Sequence, residues 1–503
     1  MLWVAADFEW IWTVFDCRFS DPLIILSTIL LASTTLLIFR RTLKNAMNAN
    51  QEFDRNHNLQ SEMGAVCCRP SSSTDSEAAA HVIVRNSGDV TTSPDEPLGR
   101  LLIFVNPNSG AGVGKRTFEK KVRPKLQAAN IDYELILTTG PNHARQVVST
   151  RSDLLSEFCG ILILSGDGLI YEVLNGLFQR KDRFLVIPQL ALGLIPTGSG
   201  NGLLASILAS KKYPVSSAEL LMSNAVEIAT SAATVAQPIS LFHVQTPAVN
   251  IISFLSVGWG LMADIDIESE RWRRTLGSQR FTMGSIIRAL NLRSYKGRLT
   301  YMPYRKSDKF ASLPTFPVYG RVRVPSDVKS EMTSLISTSK GGKVSDENEN
   351  LREFDEECER IQVHNVPKLE NGDNKDDWIT IETDFTMVYA VTRSHISGTG
   401  PFATKCNLDE DCIYMTIIEA KDVPSRMAIV RFLLAIEHDK HNDFEFCKTI
   451  PVSAFRLESF SGGIIVVDGE VVPCSSIQVS STTLKTAVFA PPNSYNQNSS
   501  TRE

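Results

Sequence analysis

The sequence predicts two folded domains, an α/β domain with a parallel sheet and helices on both faces, followed by an antiparallel β-sandwich. Short apolar runs alternate with segments of helical periodicity from Leu101 to about residue 235, as in a parallel sheet with covered faces. Beyond that point, runs with period-2 alternation follow one another across tight turns. With 503 residues, 43% of them hydrophobic and 21% charged, the chain can bury two such cores.

The first 45 residues are predicted to hold a membrane anchor. The uncharged run Leu23–Phe39, about 17 residues long, is at the lower limit for a membrane-spanning helix. The run is followed by the basic residues Arg40, Arg41 and Lys44. Because basic residues beside a membrane span favour the cytoplasmic side, the C-terminal side of the run is predicted to be cytoplasmic. A signal peptide or a re-entrant helix is the alternative, but a signal peptide would carry its basic residues before the run.

Composition sets the remaining domain boundaries. Residues 46–98 are polar and lack apolar periodicity, so they are predicted to be a disordered linker. The α/β domain is assigned to residues 99–235 and the sandwich to 236–485, with a flexible charged insertion at 325–377 and a disordered tail at 486–503. Strands are predicted from Leu101 and at Tyr133–Leu137 and Gly160–Leu164, and helices at Phe118–Ala129, His143–Ser149 and Leu169–Phe178.

Charge and cysteine usage restrict the partners of the chain. A net charge of -5 and a pI near 6.0 argue against a nucleic-acid partner, which requires a basic face. The 9 cysteines form neither a disulfide framework nor a zinc-site spacing. We therefore expect a reduced, cytosol-facing protein without a cysteine and histidine metal site. The sequence carries no signal for an oligomeric state.

Three glycine-rich turns precede predicted helices, and the first two of them follow predicted strands. The first, residues 106–115 (NPNSGAGVGK), opens a helix, where backbone N–H groups and the helix dipole can receive phosphate. It is not a Walker A loop, because Ser109 replaces a required glycine and Arg116 replaces a required serine or threonine. A purely structural turn is the alternative. The third turn, residues 198–202 (GSGNG), also exposes backbone amides before a helix, with a flexible linker as its alternative.

The second turn, Ser165-Gly166-Asp167-Gly168, carries a carboxylate. Its two glycines leave Asp167 open to close approach by two substrates. A carboxylate at the C-terminal edge of a parallel sheet occupies the usual position of chemistry in open α/β proteins, although an N-capping aspartate is the alternative. The three turns together predict a polyphosphate cradle that contains a base.

These segments resemble a known superfamily. VNPNSGAGVGK, SGDGLIYEVLNGL and IPTGSGNGLLAS are similar to the three signature segments of the diacylglycerol kinase catalytic domain superfamily. DIESERWRR, QRFTMGS and the late DGE resemble its sphingosine kinase branch, and the similarity runs from about Leu101 to Val472. The resemblance implies a Rossmann-like ATP-binding domain, a lipid-binding sandwich, and ATP and Mg²⁺ as cofactors.

The resemblance also implies a role for individual residues. Asp167 would be the general base, Asp266 would bind the amine of a sphingoid lipid, and the lipid head group would be flanked by Ser165, Gly166 and Gly168. The nucleotide would be contacted by Asn106, Pro107, Asn108, Thr138, Thr139, Gly140, Pro141, Asn142, Glu172, Gly198, Ser199, Gly200, Arg273, Arg280, Asp468, Gly469 and Glu470. One departure is an extra residue near Thr275, which bears on the assignment of Arg280.

The acidic run that contains Asp266 has two interpretations. Its four carboxylates, Asp264, Asp266, Glu268 and Glu270, stand two residues apart. In an extended segment they would share one face, whereas in a helix Asp266 would pair with Glu270. The alternative to an amine site is a solvated acidic face that offsets the neighbouring arginines.

The function predicted on this basis is a lipid kinase that phosphorylates the primary hydroxyl of sphingosine or a related sphingoid base to give sphingosine 1-phosphate. The lipid would be drawn from a membrane, with which we expect the cytoplasmic catalytic domain to associate. Residues between Phe254 and Leu290 are candidates for an alkyl-chain pocket, although apolar residues at such spacings are usually core. The rival functions are a diacylglycerol or ceramide kinase, a soluble kinase of the NAD kinase type, and a non-catalytic membrane-anchored adaptor.

Overall fold

The computed structural model describes residues 83–85, 97–110, 112–305, 314–319, 378–398, 400–492 and 494. These residues belong to one compact unit. The predicted anchor, the insertion at 325–377, most of the linker and the end of the tail lie outside the described residues. Within the described part of the chain, no helix is long and apolar enough to cross a membrane.

Strands and helices alternate in the first half of the described chain, and strands predominate in the second. The strands are Ile83–Arg85 (β1), Gly99–Val105 (β2), Ile131–Leu137 (β3), Gly160–Ser165 (β4), Ala191–Pro196 (β5), Val235–Gln245 (β6), Asn250–Ser253 (β7), Ser256–Gly260 (β8), Tyr295–Pro303 (β9), Phe316–Pro317 (β10), Ile379–Val391 (β11), His395–Ser397 (β12), Gly400–Pro401 (β13), Ile413–Glu419 (β14), Lys448–Ser459 (β15), Ile465–Val467 (β16), Glu470–Val471 (β17) and Ser476–Ala490 (β18).

The α-helices are Gly114–Thr117 (α1), Arg123–Ala128 (α2), His143–Thr150 (α3), Leu154–Glu157 (α4), Asp167–Phe178 (α5), Arg183–Gln189 (α6), Gly202–Ser210 (α7), Ala218–Thr230 (α8), Leu261–Ser269 (α9), Arg273–Leu276 (α10), Arg280–Leu290 (α11) and Arg426–Ala435 (α12). A π-helical turn, Phe118–Val122, joins α1 to α2 within the segment predicted as one helix. A short 3₁₀ turn, Glu270–Trp272, joins α9 to α10.

The parallel sheet of the predicted α/β domain is confirmed. Strands β3, β2, β4 and β5 lie side by side in that order, and each pair is parallel. Every residue of β4 is buried, as expected for a central strand whose two faces are both covered. Because the strands are parallel, the turns that follow β2, β4 and β5 meet at one edge of the sheet.

The second half forms two antiparallel layers that share long strands. The first part of β11 pairs with β9, and its last part pairs with β8 and β14. Strand β15 likewise pairs with β14 at its start and with β9 and β18 further on. The register shifts between Phe385 and Met387 and between Val452 and Ala454, where each strand passes from one layer to the other. The predicted antiparallel sandwich therefore has strands that turn its corners.

Two boundaries differ from the prediction. Residues 486–490 were predicted to begin a disordered tail, but β18 continues to Ala490 because its apolar side chains are buried against β6. Its end also lies beside β5, with Val488 opposite Leu192, and so joins the two sheets. Within the predicted linker, Ile83–Arg85 pairs with β3, whose outer edge otherwise presents unpaired backbone groups.

Candidate active site

The three glycine-rich turns meet at the carboxyl edge of the parallel sheet. The hydroxyl of Ser109, in the first turn, lies 3.4 Å from that of Ser165 and accepts a hydrogen bond from Thr197 at 3.2 Å. The backbone N–H of Thr197 donates to the carbonyl of Ser165 at 3.1 Å. Side chains after β2, β4 and β5 therefore form one cluster, as the sequence predicted for a cradle built from three turns.

Glycine is required where the second and third turns touch. A Cβ atom added to Gly198 would lie 2.5 Å from the backbone nitrogen of Gly166. One added to Gly166 would lie 2.6 Å from the carbonyl oxygen of Gly200. Both contacts are with backbone, which has little room to move, so any side chain would separate the turns. The close approach explains why these positions carry glycine.

Asp167 begins helix α5 within this cradle. Its Oδ2 accepts a hydrogen bond of 2.8 Å from the backbone N–H of Gly202, and its own N–H donates to Gly200. Its Oδ1 is buried and has no hydrogen-bond partner among the described residues. The side chain makes no capping bond to its own helix, whose N-cap is Gly166. Asp167 therefore does not cap its own helix. Its Oδ2 bonds instead to the first residue of α7, and its Oδ1 is unpaired within the described ranges.

The surroundings of Asp167 favour proton uptake near neutral pH. The residue is only 7% exposed, and this burial raises the pKa of its carboxyl group to about 6. Backbone N–H groups of Gly202 and Leu203 oppose the rise, whereas the negative charges of Asp468 and Asp266 add to it. A carboxylate with a pKa in this range is well matched to general base catalysis.

The residues assigned to the nucleotide lie along the same edge. Asn108 donates its backbone N–H to the Asn106 side chain at 2.9 Å, and Asn106 donates its own N–H to Leu164 at the end of β4. Ser199 has a buried hydroxyl without a partner in the described part of the chain. Such an unsatisfied donor beside backbone amides fits an anionic ligand.

The turn that contains Thr138, Thr139, Gly140, Pro141 and Asn142 follows β3 at this edge. Thr138 donates its N–H to Val105, the last residue of β2, at 2.9 Å. Asn142 has a left-handed backbone conformation with φ of 62° and precedes helix α3. Glu172 of α5 reaches the start of that helix: burial raises the pKa of its carboxyl group, and the N–H groups of Asn142, Ala144 and Arg145 partly offset this.

The Asp468-Gly469-Glu470 segment is the turn between β16 and β17. Asp468 and Gly469 both have positive φ, 51° and 89°, as a type I′ hairpin turn requires. The Asp468 carboxylate accepts four hydrogen bonds of 2.8 to 3.0 Å, from the Ser253 hydroxyl and the N–H groups of Phe254, Leu255 and Ser256. This carboxylate anchors the turn between β7 and β8, a different role from the predicted nucleotide contact.

Glu470 brings this hairpin to the turn that contains Asp167. A Cβ atom added to Gly168 would lie 2.9 Å from Glu470 Oε1, so the carboxylate lies beside the backbone that follows Asp167. Burial and the nearby charge of Glu172 raise the pKa of Glu470, and Arg273 opposes them. Glu470 and Gly168 are therefore brought together, although they lie in different layers of the fold.

The acidic run forms helix α9 and continues into the 3₁₀ turn, which confirms the helical pairing of Asp266 with Glu270. Both carboxylates meet one guanidinium group, because Arg280 Nη2 lies 3.3 Å from Asp266 Oδ1 and 2.7 Å from Glu270 Oε1. Burial raises the pKa of Asp266 to about 6, while Arg280 lowers it. Asp266 also lies beside Gly469, within 3.7 Å of the position of a Cβ atom there.

The two predicted phosphate-binding arginines differ in their surroundings. Arg273 is half exposed and pairs with Glu270 at 3.1 Å, so its guanidinium group is accessible from solvent. Arg280 is buried and bonds to α9. Sequence reasoning missed Ser269, Ser109 and the Gly202 N–H as polar members of these clusters. The only local sign of Ser269 was its position three residues after Asp266. The Gly202 N–H left no sign at all, because every residue except proline carries a backbone donor.

The apolar candidates between Phe254 and Leu290 separate into two groups. Phe254, Leu255, Val257 and Trp259 belong to the large core that extends through both layers, so they are structural. Leu261, Met262 and Phe281 pack into a second apolar cluster beneath α9, α11 and α12, together with Phe402 and Phe432. Ile286 and Leu290 of α11 are 44% and 60% exposed.

The chain is similar to several known proteins. The diacylglycerol kinase catalytic domain matches residues 100–233. Sphingosine kinase 1 of Caenorhabditis elegans is 44% identical over 393 residues, which cover 78% of this chain and 81% of that protein. Sphingosine kinase 1 of Homo sapiens is 32% identical over 385 residues, covering 75% and 88% of the two chains. A solved diacylglycerol kinase structure from Bacillus anthracis str. Sterne, 12% identical, covers 79% of this chain and 97% of its own with a TM-score of 0.43.

The fold and the cradle around Asp167 define an ATP-dependent lipid kinase with a diacylglycerol kinase catalytic domain. Two relatives above 30% identity are each covered over more than four-fifths of their length. The chain belongs to the sphingosine kinase family.

Proposed function

We propose that the protein transfers the γ-phosphate of ATP to the primary hydroxyl of sphingosine or a related sphingoid base, with Asp167 as the general base. Asp167 Oδ1 accepts the hydroxyl proton while the substrate oxygen bonds to the γ-phosphorus. The bond between that phosphorus and the β,γ-bridging oxygen breaks, which releases ADP and leaves sphingosine 1-phosphate. Positioning and neutralisation of charge dominate this chemistry, so one base within an amide-lined cradle is sufficient.

The observation that carries the proposal is that the two carboxylate oxygens of Asp167 differ in their hydrogen-bond partners. Oδ2 is held by the Gly202 N–H, which fixes the orientation of the carboxylate. Oδ1 is buried yet finds no hydrogen-bond partner within the described ranges, and a buried orphan acceptor is costly unless a ligand completes it. The substrate hydroxyl supplies the missing donor.

The nucleotide is assigned to the edge of the sheet formed by residues 106–108, 138–142 and 198–200, with Arg273 and Glu470 on the facing side. The unpaired Ser199 hydroxyl fits phosphate recognition. Among the described residues, no three His, Cys, Asp or Glu side chains are arranged to hold a metal ion. Mg²⁺ commonly uses one or two carboxylates plus substrate phosphates, and the buried Glu172 Oε2, which has no partner in the described part, fits such a site. When bound, Mg²⁺ neutralises phosphate charge.

The sphingoid amine is assigned to Asp266. Its carboxylate lies beside the hairpin that carries Glu470 and contributes to the field at Asp167, so it is close to the reacting groups. An ammonium group is a suitable partner for a half-buried carboxylate, whereas a neutral lipid would leave Asp266 with only Arg280, a guanidinium group that it shares with Glu270. This contrast distinguishes a sphingoid substrate from diacylglycerol or ceramide.

The alkyl chain is assigned to the second apolar cluster, which lies beneath the helix that carries Asp266. Exposed apolar side chains on α11, Ile286 and Leu290, support association with a membrane surface, from which the lipid would enter. The catalytic domain would act at the cytoplasmic side of that membrane, in agreement with the predicted direction of the N-terminal segment.

The proposal is tested with labelled ATP and sphingosine in wild type and in Asp167→Asn. The variant retains an oxygen for Gly202 but presents an amide to the substrate, so kcat should fall by about 10²- to 10⁴-fold. Asp264→Asn is a matched control, because Asp264 is also buried and pairs with Tyr295 outside the cradle. Unchanged turnover in Asp167→Asn would eliminate the mechanism.

A panel of acceptors separates the rival lipid kinases. Sphingosine should be phosphorylated in preference to ceramide and diacylglycerol, and Asp266→Asn should raise the KM for sphingosine more than the KM for ATP. Equal losses on charged and neutral acceptors would remove the amine role from Asp266. Absence of turnover on every acceptor would favour a non-catalytic adaptor.

A further inference from the structure

A buried serine hydroxyl joins helix α7 to strand β12. Ser206 of α7 is fully buried. Its hydroxyl donates a hydrogen bond to the Gly202 carbonyl, one helical turn back, at 2.8 Å and accepts one from the backbone N–H of His395 at 3.0 Å. His395 begins β12 and stands 189 residues further along the chain. The first turn of α7 and the start of β12 are therefore tied together through one oxygen atom.

The same turn of α7 holds Asp167. The N–H of Gly202 donates to Asp167 Oδ2 at 2.8 Å. A Cβ atom added to Gly202 would lie 2.8 Å from the carbonyl carbon of Ile396 and 2.9 Å from the carbonyl oxygen of His395. The backbones of α7 and β12 are thus in direct contact, and close-packed groups transmit a displacement to their neighbours. The orientation of the Asp167 carboxylate therefore depends on the position of β12.

Strand β12 also borders the second apolar cluster. Ile396 packs against that cluster. The carbonyl of Ser394, which precedes the strand, accepts hydrogen bonds from the N–H groups of Phe402 at 2.8 Å and Ala403 at 3.2 Å, and both of these residues belong to the cluster. Strand β12 is therefore in contact with the cluster and with the helix that holds Asp167.

We propose that Ser206 is a positioning residue that couples occupancy of the alkyl-chain site to the orientation of Asp167. The inference rests on the proposed function, in which the second apolar cluster receives the alkyl chain. A chain that fills the cluster holds β12 against α7, and the Ser206 hydroxyl transmits this constraint to Gly202 and so to Asp167. Ser206 acts through Gly202 and touches neither substrate.

This coupling has a kinetic consequence that a simple apolar pocket lacks. Interactions made far from the reacting atoms raise kcat when they hold catalytic groups in the productive geometry. A pocket that only binds the chain changes the KM for the lipid and leaves kcat unaltered. The dependence of kcat on the length of the alkyl chain therefore distinguishes the two.

The experiment measures kcat and KM in the full chain at saturating ATP, with sphingosine and with a homologue shortened by about six carbons. Both lipids are presented in the same detergent micelles. In wild type, kcat for sphingosine should exceed kcat for the short homologue by about tenfold. In Ser206→Ala, kcat for sphingosine should fall about tenfold, to the value of the short homologue, while kcat for the short homologue changes less than about twofold. A tenfold ratio that persists in Ser206→Ala would overturn the proposal, because the hydroxyl would then serve only the stability of α7.

Ser210→Ala is the matched control. Ser210 lies on the same helix, and its hydroxyl donates to the Ile207 carbonyl within that helix at 2.7 Å. The variant loses a comparable hydrogen bond of α7, so it should keep the ratio of the two kcat values. Loss of the ratio in Ser210→Ala as well would contradict a specific role for Ser206.

A second variant keeps the proposal testable if Ser206→Ala fails to fold. Ile396→Ala shortens the side chain through which β12 meets the cluster. It should lower kcat for sphingosine about tenfold and leave kcat for the short homologue within about twofold. A raised KM for sphingosine with an unchanged ratio of kcat values would show that Ile396 is only a wall of the pocket, and the coupling would be refuted.

The wild-type values separate this inference from the proposed function. Equal kcat and equal KM for the two lipids would refute the assignment of the alkyl chain to an apolar pocket, which belongs to the proposed function. A KM that rises on shortening while kcat stays constant would leave that assignment standing and would refute only the coupling through Ser206.

Discussion

The chain contains two Asp-Gly pairs whose aspartates are buried, Asp167-Gly168 and Asp468-Gly469, and the two aspartates look alike by most measures. The two carboxylates are 7% and 2% exposed, and burial raises the pKa of each to about 6. Their partners differ. Asp468 receives four hydrogen bonds on its two oxygens, whereas Asp167 receives one strong bond on Oδ2 and leaves Oδ1 without a partner among the described residues.

The difference shows that neither burial nor a raised pKa identifies a catalytic carboxylate by itself. Structural carboxylates are also buried, but their oxygens are occupied by donors of the same chain. A carboxylate prepared for chemistry keeps one oxygen unpaired and accepts the cost to stability. Hydrogen-bond partners separate Asp167 from Asp468, but Asp264 also has a buried Oδ1 without a partner in the described part of the chain, so the position of Asp167 in the cradle is needed as well. Substitution of Asp167 and of Asp468 by asparagine should have opposite effects on stability.

The largest effect on stability is expected for Asp468→Asn. The amide can place its oxygen where Oδ1 accepts from Ser253, Leu255 and Ser256, but its NH₂ group then faces the N–H of Phe254. The weakened and lost bonds outweigh the benefit of removing a buried charge, so the free energy of unfolding should fall by about 3 kcal/mol. Urea denaturation measures it. A KM for ATP that rises at unchanged stability would instead support the direct nucleotide contact predicted from the resemblance.

A smaller effect of opposite sign is expected for Asp167→Asn. The pKa of Asp167 is raised when the protein folds, so its carboxyl group contributes stability that is present below about pH 4 and lost as pH rises through about 6. At pH 7 the neutral amide avoids that loss. The free energy of unfolding should therefore increase by about 2 kcal/mol, and the gain should vanish near pH 4. Equal urea midpoints for variant and wild type at pH 7 would show that the ionised Asp167 carboxylate does not destabilise the folded protein.

The pH dependence of turnover tests whether the Asp167 carboxylate is the catalytic base. The base must be ionised, so kcat at saturating sphingosine and ATP should fall about tenfold per pH unit below the pKa that Asp167 has in the complex with both substrates; in the ligand-free protein burial raises that pKa to about 6. Saturation with sphingosine removes the effect that the proposed amine contact of Asp266 would have on the KM for sphingosine. A kcat that stays constant between pH 7.5 and 5 would show that Asp167 does not accept the proton.

The local parts of this arrangement were predictable from sequence. The strands that precede Asn106, Ser165 and Thr197 are continuous apolar runs, and each ends in a glycine-rich turn before a helix. Parallel pairing brings the ends of such strands to one edge. Asp167 could therefore be placed in a cradle, and the pairing of Asp266 with Glu270 followed from helical spacing.

The parts that depend on distant contacts were not predictable. Asp468 meets Ser253 across 215 residues of chain, and no local pattern marks a carboxylate that will accept bonds from a remote turn. Arg280 was assigned to phosphate by resemblance, although its partners lie on the preceding helix. The return of β18 to β5 depends on long-range pairing, so residues 486–490 were taken for a tail.

The second residue of each Asp-Gly pair gives the smallest and most local test. Gly469 has φ of 89°, a conformation that L side chains rarely adopt, so Gly469→Ala should lower the free energy of unfolding by about 1 to 2 kcal/mol. Gly168 has an ordinary helical backbone, and an added Cβ atom would meet only the flexible end of Glu470. Gly168→Ala should therefore change stability by less than about 0.5 kcal/mol while displacing the Glu470 carboxylate. The KM for ATP should rise about twofold or more in Gly168→Ala if Glu470 serves the nucleotide, and an unchanged KM would place Glu470 outside that site.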